Sequence, residues 1–153
     1  MSKPDRPAVL WTRVLLAALA VPQLFTGLWA VTATESWYRS FPGFGPMLVA
    51  AEPPYNAHLA YDAGAGFVAT GVFLLLAAWW GDRRVVLIAG ISLLSFALPH
   101  VIYHLAHPSP GLSDPENVVN AVVLAIAAVL PLAVIVATAR ADRSTPTKEN
   151  THR

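Results

Sequence analysis

The stretch VVLIAGISLLSFALPHVIYHLAH, residues 85–107, decides the fold because it is long, apolar and ends in histidines. No ionisable side chain occurs between Val85 and Pro99. A helix of about 20 apolar residues crosses the hydrocarbon core of a bilayer, which is about 30 Å thick. The stretch therefore predicts a membrane-spanning helix. Its end, near one membrane surface, carries His100, His104 and His107.

The rest of the chain repeats this pattern. Of its 153 residues, 56% are hydrophobic and 12% are charged, whereas soluble domains carry about 25% charged residues. Backbone groups in lipid must bond within their own segment, and the alternating pattern of a barrel is missing, so the spans are helices. The sequence predicts one all-α domain over residues 1–140, a four-helix bundle in a lipid bilayer, followed by a disordered cytoplasmic tail over 141–153. The four predicted helices are 11–32, 56–80, 85–106 and 118–139.

The basic residues predict how the chain lies in the membrane. Nine of the ten Lys and Arg residues fall before or at the very start of the first span, between the second and third, or after the fourth, and Arg39 is the exception. Basic residues concentrate on the cytoplasmic side, so we expect a multi-pass protein of the cell inner (plasma) membrane with both termini cytoplasmic. The first span is longer than the apolar part of a signal peptide, which favours a retained helix. Because basic residues only flank the spans, no nucleic-acid partner is expected.

The predicted outer loop over residues 33–55 is rich in proline, which argues against a long regular element. Its portion GPMLVAAE, residues 45–52, predicts a short interfacial helix with Pro46 in the first turn. In the first span, Gln23 and Thr26 are isolated polar residues, which we expect to hydrogen-bond across helices.

Two pairs of polar residues lie near the outer ends of the second and third spans. His58 and Asp62 are four residues apart, as are His100 and His104, so each pair shares one face of its helix. At a rise of about 1.5 Å per residue, Asp62 and His104 lie at nearly the same distance along their helices from the turn that joins the two spans.

That turn, residues 81–84, is short, which predicts that the second and third spans pack as antiparallel neighbours. Gly64 and Gly66 would permit a close approach of the two helices. We therefore expect the two polar pairs to face each other just inside the outer interface.

Ionisable residues inside a membrane are costly and indicate a functional site by default. Imidazoles and a carboxylate are ligands of zinc, copper and non-haem iron. The sequence thus predicts a site for a copper, zinc or iron ion, with a role in redox chemistry or metal handling. Haem, held by two axial imidazoles on facing helices, fits less well, because the residues lie near the interface beside a carboxylate. The candidate ligands are His58, Asp62, His100 and His104, with His107 as a possible addition.

An alternative is a cofactor-free interaction or assembly subunit of a membrane complex, whose His/Asp cluster only fixes helix packing. Four short helices leave much lateral surface, which favours a homo-oligomer or a larger complex. A proton-coupled carrier is disfavoured, since the spans below Asp62 and His100 are nearly all apolar. Whether the chain is an enzyme stays open: no nucleophile–base pairing is visible, and with no cysteine, thiol chemistry is excluded.

The pattern N-x-H-x3-D-x-G-A from Asn56 to Ala65, followed by P-H-x3-H-x2-H from Pro99 to His107, resembles a family of small actinobacterial membrane proteins. The resemblance covers the second and third spans by residue pattern and the others by hydropathy. It implies a four-helix architecture and an actinobacterial source, but no reaction.

Overall fold

The computed structural model describes residues 7–143, with side chains as far as residue 141, and this part of the chain is helical without strands. Four long helices confirm the predicted spans, and a short fifth helix lies in the first loop. The last helix continues through Arg143, so the prediction of a disordered tail from residue 141 was wrong for residues 141–143, which are helical. The rest of the predicted tail, residues 144–153, lies outside the described residues. The helices are α1 Leu10–Thr32, α2 Thr34–Ser40, α3 Ala57–Trp80, α4 Arg83–Ala106 and α5 Asp114–Arg143.

The ends of α3 and α4 follow from local chemistry. The Asn56 side chain accepts a hydrogen bond from the backbone N–H of Leu59 at 3.0 Å and caps the start of α3. At the other end, Gly81 adopts the left-handed conformation with φ +66°, which ends the helix. Asp82 then accepts from the N–H of Arg84 at 2.8 Å and caps α4. These residues produce the short turn that the sequence predicts.

The prediction of a helix over residues 45–52 was wrong. This segment forms turns, and Gly45 has φ +67°, which a helix cannot accommodate. The helix of this loop is instead α2, where Arg39 pairs with Glu35 at 2.8 Å one turn apart. Trp37 on α2 is buried against α1 and α3, so α2 is held by packing that the local sequence does not reveal.

The long helices pack as two antiparallel pairs, α1 with α3 and α4 with α5. Gly27 and Gly64 bring the backbones of α1 and α3 together, and Gly71 lies against Leu24 further along. In the second pair, Gly90 of α4 lies against Ile135 of α5. The predicted antiparallel neighbours α3 and α4 do contact each other, through Phe67 and Phe96 among others. The contact is less extensive than that of α3 with α1, because Gly64 and Gly71 of α3 lie against α1.

The hydrophobic core is shared at one end of the bundle and divided at the other. A cluster that includes Leu16, Leu74, Val86 and Val134 joins all four long helices. Beyond it, α1, α2 and α3 enclose one cluster around Ala30, Trp37 and Ala60, whereas α4 and α5 enclose another. That second cluster consists of Ala97, Val101 and Ala128 with partly buried neighbours.

The shared end is fastened by arginines, and we call it the arginine end. Arg13 of α1 donates to the carbonyl oxygens of Ala78 at 2.8 Å and Trp79 at 3.0 Å, at the end of α3. Arg83 of α4 donates to the carbonyl of Thr138 on α5 at 2.9 Å. The opposite end, where α4 ends at its histidines, is called the histidine end.

The outer surface of the bundle is apolar along all four long helices. Each helix is long and apolar enough to cross a membrane. Large hydrophobic side chains such as Val21, Ile88 and Val129 are exposed on it. An exposed apolar surface of this extent is compatible with lipid and not with water, so the chain fits a multi-pass integral membrane protein.

Candidate metal-binding residues

The two histidines of α4 lie on the face of the helix that continues the core. His100 and His104 come seven residues, or two helical turns, after Leu93 and Ala97, both of which are buried. Both histidines are partly buried. Their ring centroids lie 4.8 Å apart. The prediction that one helix face presents both imidazoles together is therefore confirmed.

A continuous series of ring contacts runs along α4 to its end. Phe96 stacks on His100 with centroids 5.3 Å apart, and Phe67 of α3 meets Phe96 edge-on at 5.4 Å. Beyond the histidine pair, Tyr103 contacts His104 at 5.7 Å and stacks on His107 at 4.6 Å. The imidazole pair is thus framed by aromatic rings on both sides.

The His58–Asp62 pair lies at the start of α3. His58 Nε2 and Asp62 Oδ2 are 3.2 Å apart, with the side chains 88% and 59% exposed. The predicted sharing of one helix face is confirmed. However, the pair is exposed, and the contact lies within a single helix.

The structure does not bring the two pairs together. Within residues 7–143, no three His, Asp or Glu side chains are close enough to hold one ion. The physical reason is the rotation of α3, which meets α4 through Phe67. Ala63 lies one turn before Phe67 and so on nearly the same face of α3. Asp62 lies five residues before Phe67, which places it about 140° away from Phe67 around the helix axis at 3.6 residues per turn.

His107, the additional candidate, lies just after α4 as its C-cap residue. It is exposed, and its Nδ1 lies 3.1 Å from the carbonyl oxygen of Tyr103. This contact and the stacking on Tyr103 hold the ring beside the helix end, so it does not join the His100–His104 pair.

A loop clamp at the histidine end was not apparent from the sequence. The Asn117 side chain accepts from Ser109 N–H at 2.8 Å and donates to Ser109 C=O at 3.1 Å, which folds the α4–α5 loop. The Ser109 hydroxyl donates to the carbonyl of Ala51 at 2.9 Å, so this loop is fastened to the α2–α3 loop. A lone serine and asparagine in a polar loop carry no signal that would predict these partners.

An open hollow of about 530 Å³ lies between these two loops. It is lined by residues that include Met47, Pro53, Leu112 and Glu116, and by none of the candidate ligands. The Glu116 carboxylate is already engaged by the N–H and hydroxyl of Ser113 at 2.8 and 2.7 Å, as the start of α5 requires. The hollow therefore offers no partner to the histidines.

Together, four apolar spans and polar pairs at one end define the class of protein as an integral membrane protein with an all-helical bundle fold. Comparison with protein-family models, with curated proteins and with solved structures finds no match for this chain. The resemblance to small actinobacterial membrane proteins thus stays a prediction.

Proposed function

We propose that this chain is a membrane-embedded metal-binding protein, with His100 and His104 as the anchoring ligands of a copper, zinc or iron ion. The observation that supports this most directly is the 4.8 Å spacing of their ring centroids. Two imidazoles on one tetrahedral zinc ion, with Zn–N bonds of about 2.0–2.1 Å, have ring centres about 5 Å apart. The rings are therefore as far apart as one shared ion requires, and rotation about the side-chain bonds would have to aim a nitrogen of each ring at it.

The α4 pair is a better anchor than the α3 pair because of its surroundings. His100 and His104 are partly buried, which restricts their rotamers and limits competition from water. A bound ion would also offset the cost of burying their ring nitrogens without hydrogen bonds. His58 and Asp62 are largely exposed and already paired with each other.

The alternative, in which the polar residues only fix helix packing, has less support. Within the described residues, His100 and His104 have ring contacts along α4, and His58 has its ion pair along α3. The hydrogen bonds that join different helices or loops lie elsewhere, for example at Arg13 and Ser109. Polar groups that hold no other helix are more readily explained by a ligand.

The distribution of basic residues supports cytoplasmic termini and a metal site facing outward from the plasma membrane. A site there fits redox chemistry or the handling of metal that reaches the cell from outside. Haem binding between helices would need facing imidazoles, and His58 does not lie on the α4-facing side of α3, which favours a bare ion.

The test is elemental analysis of the purified, detergent-solubilised protein after incubation with zinc or copper, on matched variants. We expect about one ion per chain in the wild type and in His58→Ala/Asp62→Ala, and its loss in His100→Ala/His104→Ala. Retention in the α4 variant would contradict the assignment. Loss in both variants would mean that all four residues hold one ion, which contradicts a site that the α4 pair anchors without His58 and Asp62. No bound metal in the wild type would favour the assembly subunit.

A further inference from the structure

The His100–His104 pair provides two ligands, and a stable zinc or copper site needs more. Structural zinc sites have four protein ligands, and catalytic sites have three with an open fourth position. Within the described residues no third His, Asp or Glu stands beside the pair. If the proposed function holds, a third ligand from the described part of this chain must come from a side chain that can move.

His107 has the right position on the chain for that movement. By helical spacing, His100, His104 and His107 lie within about 60° of one another around the axis of α4. His107 is also the C-cap, with φ −133° and ψ 78°, and so is outside the regular helix. Pro108 follows it, and the helical conformation is disfavoured for a residue before proline. The helix therefore ends at His107, where the side chain is exposed and has room to rotate.

Tyr103 is what holds His107 away from the pair. The two rings are stacked, with centroids 4.6 Å apart and planes at 22°. The His107 Nδ1 also lies 3.1 Å from the Tyr103 carbonyl oxygen. Both interactions are at the exposed helix end and each is weak, so an ion that gains an imidazole ligand can outcompete them.

We propose that His107 is a reserve ligand, held on Tyr103 in the metal-free protein, that rotates to join His100 and His104 when an ion binds. This rests on the proposed function and adds a specific ligand set to it. Three neutral imidazoles with one open position suit zinc or copper and not magnesium or calcium, which require oxygen ligands. The open position would be available to water or to a small substrate.

The first readout is the NMR signal of the His107 ring, which is stacked on the Tyr103 ring and should be shifted upfield by its ring current. Adding zinc to the solubilised wild type should move this signal downfield, and should leave it unchanged in His100→Ala/His104→Ala. A His107 signal that does not move at zinc saturation of the wild type would overturn the reserve-ligand proposal.

The second readout is zinc and copper affinity, with magnesium as the negative control. His107→Ala should weaken binding at least about tenfold, since even residues behind the ligands cost 10–100-fold. Tyr103→Leu keeps the backbone carbonyl but removes the stacked ring, and should tighten binding about two- to tenfold. The matched control is Tyr61→Leu, which removes a similarly exposed tyrosine from α3 and should leave affinity at the α4 site unchanged.

The two proposals fail in different ways. If binding in the wild type is lost in His100→Ala/His104→Ala but His107→Ala binds as tightly as wild type, only the reserve ligand is overturned. If the α4 double variant binds as well as wild type, or if the wild type binds no metal, the proposed function fails as well. Copper EPR tests the reserve ligand directly, because it reports how many imidazole nitrogens bind the ion. The wild type should show three such nitrogens and His107→Ala two.

Discussion

Gly27 of α1 and Gly64 of α3 meet with no room for a side chain on either. A Cβ on Gly27 would lie 2.8 Å from the carbonyl oxygen of Gly64, and a Cβ on Gly64 would lie 3.2 Å from that of Gly27. Close backbone approach of this kind is how membrane helices gain packing energy where no hydrophobic effect drives them together. This contact fixes the rotation of α3 and thereby turns Asp62 away from α4.

Replacing Gly64 by alanine should destabilise the bundle by about 1–3 kcal/mol, because the new methyl group would also lie 2.7 Å from the Cβ of Ala30. The measurement is denaturant unfolding in detergent micelles. The matched control is Gly66→Ala on the same helix, where an added Cβ meets nothing within 4 Å. The control should be neutral or up to about 1 kcal/mol more stable. Equal effects of the two changes would contradict the α1–α3 packing.

Removing the guanidinium group of Arg13 should destabilise the arginine end. The guanidinium donates to two carbonyl oxygens at the end of α3, and hydrogen bonds from charged donors contribute about 1.5–3 kcal/mol. We expect Arg13→Met to lower the free energy of unfolding by about 2 kcal/mol. Arg13→Lys keeps the charge but loses the planar fork, so its loss should be intermediate. A variant as stable as wild type would show that these bonds contribute nothing net.

The exposed His58–Asp62 pair should contribute little to stability. Surface ion pairs one helical turn apart contribute about 0.3–0.5 kcal/mol, and this pair touches no other helix through that bond. His58→Ala/Asp62→Ala should therefore unfold within about 0.5 kcal/mol of the wild type. A loss well above 1 kcal/mol would revive the interpretation that the pair fixes helix packing.

Replacing Gln23 by an apolar residue should stabilise the protein. Its Oε1 atom is buried and has no protein hydrogen-bond partner, so the predicted bond across helices was wrong for this residue. A buried acceptor without a partner costs about 1–3 kcal/mol. Gln23→Met, which keeps the shape of the side chain, should raise the free energy of unfolding by about 1 kcal/mol. Destabilisation instead would show that the amide is satisfied in the membrane.

The predicted orientation can be tested cleanly because the chain has no cysteine. Single cysteines at Glu52 and Ala141 place one thiol at each end of the bundle, and both positions are exposed. A membrane-impermeant maleimide added to intact cells should label Glu52→Cys. Ala141→Cys should react only after the membrane is permeabilised. The opposite pattern would place the histidine end in the cytoplasm and remove the argument for metal from outside.

The spans could be predicted from the sequence because length and hydropathy decide them locally, and the caps at Asn56 and Asp82 agree with their short-range signals. Which helices pack against each other could not be predicted from the sequence. Gly64 and Gly66 are equally small, and only the fold reveals that Gly64 packs on α1 while Gly66 faces open space. A short α3–α4 turn brings two helices close at one end without fixing their rotation.

The candidate site could also be predicted only in part. The pairing of His100 with His104, and of His58 with Asp62, depends on helical spacing alone and could be predicted. Whether the two pairs meet depends on the rotation of α3, which its contact with α1 sets. Their similar depth in the membrane was therefore not enough to predict that they meet. The clamp from Ser109 to Ala51 joins residues 58 positions apart, a distance over which the sequence carries no local signal.

The most direct test of the metal site is the position of the ion itself. Crystals of the wild-type protein grown with zinc would give an anomalous difference map at the zinc edge. We expect one peak about 2.0–2.1 Å from a ring nitrogen of His100 and of His104, the usual Zn–N distance. A peak on His58 and Asp62 alone, or no ordered peak in zinc-saturated crystals, would contradict the account.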